Sequence, residues 1–199
     1  MSYSLDKKGV MEWGAQHTYA NMRFFNANQD YVAARCCILN GLFAGFTLAS
    51  QAIEKLLKAI IYLETGEEMK RWHDPYKLKE KLKEKKDYNL DNFDTTLKKL
   101  YDHYLSRYHE DNPRIHSDGT SGASSEELKS IDELWFTLVE KLPMPDEVKY
   151  RMAFFADLFE THPYWLNGVW LTKNNFAFDK RQITLLENYT KVYQHLYGQ

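Results

Sequence analysis

The chain has 199 residues, 44% of them hydrophobic and 27% charged, with a formal net charge of −2. This composition suits one globular domain with a sizeable core and excludes both a disordered chain and a polycation; a nucleic-acid site must then be a local basic patch. The two cysteines, Cys36 and Cys37, are adjacent, which excludes a disulfide framework and fits free thiols in a reducing cytoplasm.

In chain order, residues 1–29 read as an N-terminal helical segment in which Val10, Trp13, Ala20, Met22, Phe24 and Phe25 supply the apolar positions. Asp30 suits an N-cap for a helix over Tyr31–Asn40, with Val32, Cys36 and Leu39 at helical spacing. Gly41 and Gly45 predict a turn or a close helix contact. The strongest pattern runs over Phe46–Thr65, where Leu48, Ala52, Ile53, Leu56, Ile60 and Leu63 form one apolar face and Gly66 stands at the C′ position. Gln51, Lys55, Lys58 and Tyr62 form a polar stripe on its other side, where Glu54 and Lys58 are an i,i+4 pair.

Asp74 and Pro75 predict the N-cap and first position of the next helix, with Leu78 and Leu82 inward and the lysines at 77, 79, 81, 83, 85 and 86 on a solvated face. A further helix is predicted over Asp91–Tyr108. Residues 109–123, HEDNPRIHSDGTSGA, read as a loop. Ser124 and Glu127 form a capping box for a helix to Leu142, and Pro145 opens another through Phe159. The stretch 161–177 is aromatic and irregular, and a last amphipathic helix spans Lys180–Tyr197. No stretch reads as a leader or a membrane span, and none alternates with period two. The fold class is therefore all-α: an antiparallel up-and-down helical bundle over residues 30–142, with a C-terminal helical extension over 143–199 packing on it.

The segment Phe43–Leu82 resembles the first half of a HEPN domain. The points of similarity are Gln51-Ala52-Ile53-Glu54-Lys55-Leu56-Leu57-Lys58-Ala59, Gly66, and His73-Asp74 with Leu78; a later helix ending in Arg107-Tyr108 continues the likeness. The resemblance implies a HEPN-type antiparallel bundle, often a homodimer, that binds RNA or nucleotide. It also implies, for some members, a toxin neutralised by a small nucleotidyltransferase. Its ribonuclease members carry Arg, four to six residues, then His. Here Arg107 and His116 enclose eight residues, while Arg107–His109 and Arg114–His116 enclose one each.

Metal-independent RNA cleavage needs a base for the 2′-OH proton and a cation for the phosphate charge. Histidine and arginine suit these tasks. Arg107, His109 and His116 are thus the candidate catalytic residues, and Lys55, Lys58, His103, Tyr108 and Arg114 the candidate RNA or nucleotide contacts. The competing reading makes the segment a solvated loop in which Arg107 pairs with Glu110 or Asp111 at a helix end. His103, His109 and His116 match no metal-ligand spacing, so neither metal nor cofactor is expected. The chain has no Walker loop, no dinucleotide-binding glycine fingerprint and no Gly-x-Ser-x-Gly elbow. The alternative function is a non-catalytic helical interaction module partnering a nucleotidyltransferase or another enzyme.

Overall fold

A computed structural model describes residues 5–84, 88–106 and 125–152. They form α1 (Lys7–Gln16), α2 (Thr18–Leu39), α3 (Ala44–Thr65), α4 (Pro75–Lys83), a 3-10 turn (Asp91–Phe93), α5 (Asp94–Ser106), α6 (Ser125–Lys141) and α7 (Asp146–Met152). No strand occurs among the described residues, so the fold is all-helical as expected.

The α2–α3 hairpin makes the most extensive helix contact, and its sequence explains why. On α2 the buried positions Ala20, Phe24, Ala27, Tyr31, Ala34 and Ile38 alternate steps of four and three. Such steps keep one face against a neighbour along the whole helix. Small residues on both sides let the backbones come close. A Cβ added to Gly45 would lie 2.5 Å from Ile38 Cγ1 and 2.7 Å from the Ala34 carbonyl oxygen. Gly45 is therefore the close contact the sequence predicts, and Gly41, at φ +72°, is the turn.

Two expectations for α2 are corrected. Asp30 caps nothing, because α2 runs unbroken from Thr18 to Leu39, across the boundary expected at residues 29 and 30. The Asp30 carboxylate instead accepts a hydrogen bond from Lys55 Nζ on α3. The inward face is also shifted: Val32 is buried as expected, but Tyr31, Ala34, Arg35 and Ile38 are buried with it, while Cys36 and Leu39 are half-buried.

α3 is buried almost all round and contacts α2, α4, α5 and α6. Ile53, Leu56, Leu57, Ile60 and Ile61 are fully enclosed. It ends at Gly66 in the left-handed conformation, whose N–H donates to the Tyr62 carbonyl. Asp74 caps α4 as expected, its Oδ1 accepting from the Tyr76 and Lys77 N–H groups at 2.9 and 3.3 Å. The expected Asp91–Tyr108 helix is a 3-10 turn followed by α5, with Leu97 and Leu100 buried; α5 is described as far as Ser106.

α6 is joined to α2 by a polar node. Arg35 donates to Asp132 Oδ2, and the Tyr31 hydroxyl donates to Asp132 Oδ1 at 2.7 Å. Arg35 and Asp132 have no exposed surface. Tyr31 stacks on Trp135 at 4.4 Å and 8°. Burial pushes the Asp132 carboxyl up to about 6, against the pull of Arg35 and the Tyr31 hydroxyl.

Two stability changes follow. Asp132→Ala takes the carboxylate from a buried guanidinium, at a cost of about 3–5 kcal/mol, and an Arg35→Met/Asp132→Leu pair recovers most of it. Gly45→Ala forces α2 and α3 apart, at a cost of about 1–3 kcal/mol. Urea unfolding midpoints of the purified variants measure both; wild-type stability of Asp132→Ala or Gly45→Ala contradicts these assignments.

Candidate functional site

Of the residues singled out by sequence, Arg107, Tyr108, His109, Arg114 and His116 lie outside the described residues. Lys55, Lys58 and His103 are described, and they lie in different places.

Lys58 is buried, its Nζ donating to Glu54 Oε1 at 2.6 Å. The i,i+4 pair forms as expected, but it packs inside the bundle and not on a solvated stripe. Glu54 Oε1 also lies 3.4 Å from His73 Nδ1. Lys55 pairs with Asp30 and joins α3 to α2. On α4, Lys77 and Lys83 are exposed as expected and Lys81 is half-buried, but Lys79 departs from the expected solvated face. Lys79 is buried against Asp91 at 2.7 Å and Asp94 at 2.5 Å, which raises its pKa despite the opposing effect of burial. A helical wheel shows each of these lysines on a polar face; for Lys55 and Lys79 it does not show the carboxylate that a neighbouring element supplies.

His103 lies in a cleft of about 260 Å³ between the first turn of α3, one face of α5 and the first turns of α6. Its ring stacks on Phe46 with centroids 4.6 Å apart and planes 11° apart. Lys99 Nζ of α5 reaches Glu127 Oε1 of α6 at 3.4 Å, tying the two walls together. Asn92, Thr95, Thr96 and Ser130 add hydroxyl and amide groups. Burial holds the His103 imidazole below its ordinary 6.5, against the upward pull of Glu127 and Asp102. An imidazole beside an aromatic face, a lysine and hydroxyls can exchange a proton and stack a planar ring.

Sequence reasoning named His103 but missed Phe46, Thr96, Lys99 and Ser130. A signal existed on the 3-10 turn and α5: Asn92, Thr96, Lys99 and His103 follow steps of four, three and four, a polar stripe opposite Leu97. No group of His, Cys, Asp or Glu among the described residues could hold a metal ion. No described helix is long and apolar enough to cross a membrane.

Because His103 titrates lower in the folded chain, its contribution to stability is full above about pH 6.5, the ordinary value, and is lost as pH falls. NMR titration of the ring protons is expected to place its midpoint below that of an unfolded histidine peptide. A midpoint above it would mean that the ring is not desolvated by the cleft.

The family model for the HEPN domain matches residues 20–142, more than half of the chain. The match contains α3, α4, α5 and α6 whole and most of α2. No curated protein and no solved structure gives a significant match. The span of the match and the all-helical architecture lead to one conclusion: the chain belongs to the HEPN domain family.

Proposed function

We propose that the chain binds RNA or nucleotide at the cleft between α3, α5 and α6 and cleaves RNA without a metal ion. In this reading His103 and Phe46 receive a base. The segment between α5 and α6 brings the reactive groups: Arg107 for the phosphate charge, His116 and His109 for proton transfer, and Tyr108 and Arg114 for binding. Lys55 and Lys58, committed to Asp30 and Glu54, hold α3 in place and do not contact the ligand. The protein acts in the cytoplasm as a homodimer, as a toxin held by a nucleotidyltransferase.

One observation carries this reading. The last described turn of α5 contributes His103 to the cleft, and the first turn of α6 contributes Glu126 and Glu127. The described residues on either side of 107–124 therefore both border the cleft. The chemistry needs only a base and a cation, and both residue types are concentrated there.

A second reading draws on the Arg107–His116 spacing, which encloses eight residues, and on the exposed Leu42 and Phe43 at the α2–α3 turn. These favour a non-catalytic module that partners a nucleotidyltransferase or another enzyme.

Purified protein incubated with mixed RNA in a chelator tests both. Wild type is expected to cleave, and the Arg107→Ala/His116→Ala variant to lose about 100-fold or more in rate. Equal cleavage by the two overturns the catalytic assignment. No cleavage by wild type, with nucleotide binding retained in calorimetry, selects the second reading.

A further inference from the structure

We infer that a second surface, on the α4-facing side of α5, stacks the unpaired bases of a single-stranded nucleic acid. The inference rests on the nucleic-acid reading above, but of the cleft residues only Thr95 also lines its groove.

The connection from α3 to α4 reads Lys70-Arg71-Trp72-His73, and all four residues are exposed. Two cations are thus followed directly by two rings. Trp72 is 42% exposed, far more than a core tryptophan such as Trp135 at 1%. The His73 ring is fixed from beneath. Its Nδ1 lies 3.4 Å from Glu54 Oε1, and that carboxylate is anchored inside the bundle by Lys58. With Nδ1 engaged, Nε2 is the nitrogen left for a ligand.

The fixed ring shares its orientation with two others. His73 and Tyr104 lie 16° from parallel with centroids 6.4 Å apart, and Tyr104 and Tyr101 lie 12° from parallel at 6.5 Å. Tyr101 and Tyr76 then line an open groove of about 520 Å³ between α4 and α5. Three co-oriented rings beside exposed cations match the chemistry of base stacking, which needs aromatic faces and is tolerant of sequence.

Carboxylates also line this groove, and they decide what kind of ligand fits. Asp74 is occupied by the Tyr76 and Lys77 N–H groups, Asp94 by Lys79, and Asp102 by Lys98 at 2.9 Å. Their charge is therefore offset locally. Lys70 is paired with Glu68 at 2.8 Å, whereas Arg71 makes no ion pair with a described residue. The accessible chemistry is ring faces with a modest cationic edge. That favours flexible single strands with splayed bases over a duplex, whose bases are stacked on each other and whose grip on proteins is dominated by phosphates.

Fluorescence anisotropy with labelled 12-mer RNA, the same sequence in DNA, and duplex RNA tests the inference. Wild type is expected to bind both single strands more tightly than the duplex. Tyr104→Leu is expected to weaken single-strand binding by about 5- to 100-fold, with Tyr104→Phe close to wild type. Trp72→Ala, at an exposed position that leaves the core intact, is the second probe should Tyr104→Leu unfold; it too is expected to weaken binding. Loss in both single-strand arms assigns the ligand to bases alone, and loss in the RNA arm only assigns it to RNA. Wild-type affinity in both Tyr104→Leu and Trp72→Ala overturns the surface, as does duplex binding equal to single-strand binding. If His103→Ala weakens binding while these two variants do not, the surface fails and the cleft reading stands. If wild type binds no single strand, the surface fails whatever the cleft does with a nucleotide.

Discussion

The Arg35–Asp132 pair decides where α6 can lie. Both groups are without exposed surface, and a charge taken out of water tolerates no loss of its partner. Arg35 belongs to the hairpin helix α2, which is packed on α3 through small residues, and Asp132 belongs to α6. The pair thus fixes α6 to the hairpin at one register, with Tyr31 on Trp135 adding a flat stacking contact beside it. One helical turn before Asp132, α6 presents Glu127 and Leu128, and Glu127 meets Lys99 across the cleft. The wall of the proposed ligand site is therefore set by an interaction far from the ligand.

The same economy governs the other charges. Three lysines expected to face a ligand or water are committed to carboxylates on neighbouring elements or on their own helix: Lys55 to Asp30, Lys58 to Glu54, and Lys79 to Asp91 and Asp94. Lys55 joins α3 to α2, Lys79 joins α4 to the 3-10 turn and α5, and Lys58–Glu54 is buried within α3; each pair takes up a cation that composition alone would count toward phosphate binding. With a net charge of −2 and these lysines already paired, the proposed nucleic-acid binding would have to draw on a few local contacts and on aromatic faces. The ring stacks on the two sides of α5, Phe46 with His103 and His73 with Tyr104, fit that constraint.

Much of the fold was legible in the sequence because its signals are local. The α3 period, Gly66 at a helix end, and Asp74-Pro75 at a helix start depend on neighbours a few residues away, and each stands where it was expected. The family likeness over Gln51–Ala59 and His73-Asp74 likewise predicted the all-helical bundle, and the match over residues 20–142 bears it out. What could not be read depends on distant partners. Asp30 has the chemistry of an N-cap, but a lysine 25 residues later uses it in mid-helix. Arg35 gives no sign that its counter-ion lies 97 residues away. For the candidate site, His103 was legible from its polarity near the end of a helix. Phe46 was not, since its role arises only when α3 and α5 meet. Arg107, His109 and His116 lie outside the described residues and rest on residue chemistry.

The central claim is that one face of this bundle, at the junction of α3, α5 and α6, receives the ligand. Chemical-shift mapping tests it most directly: amide and ring resonances followed while a nucleoside monophosphate is titrated into the full chain. The account predicts the largest shifts at Phe46, Thr96, Lys99, His103 and Ser130, with little change along the outer face of α2 at Met22 and Phe25. Shifts confined to α1 and α2, or an unmoved His103, would contradict it.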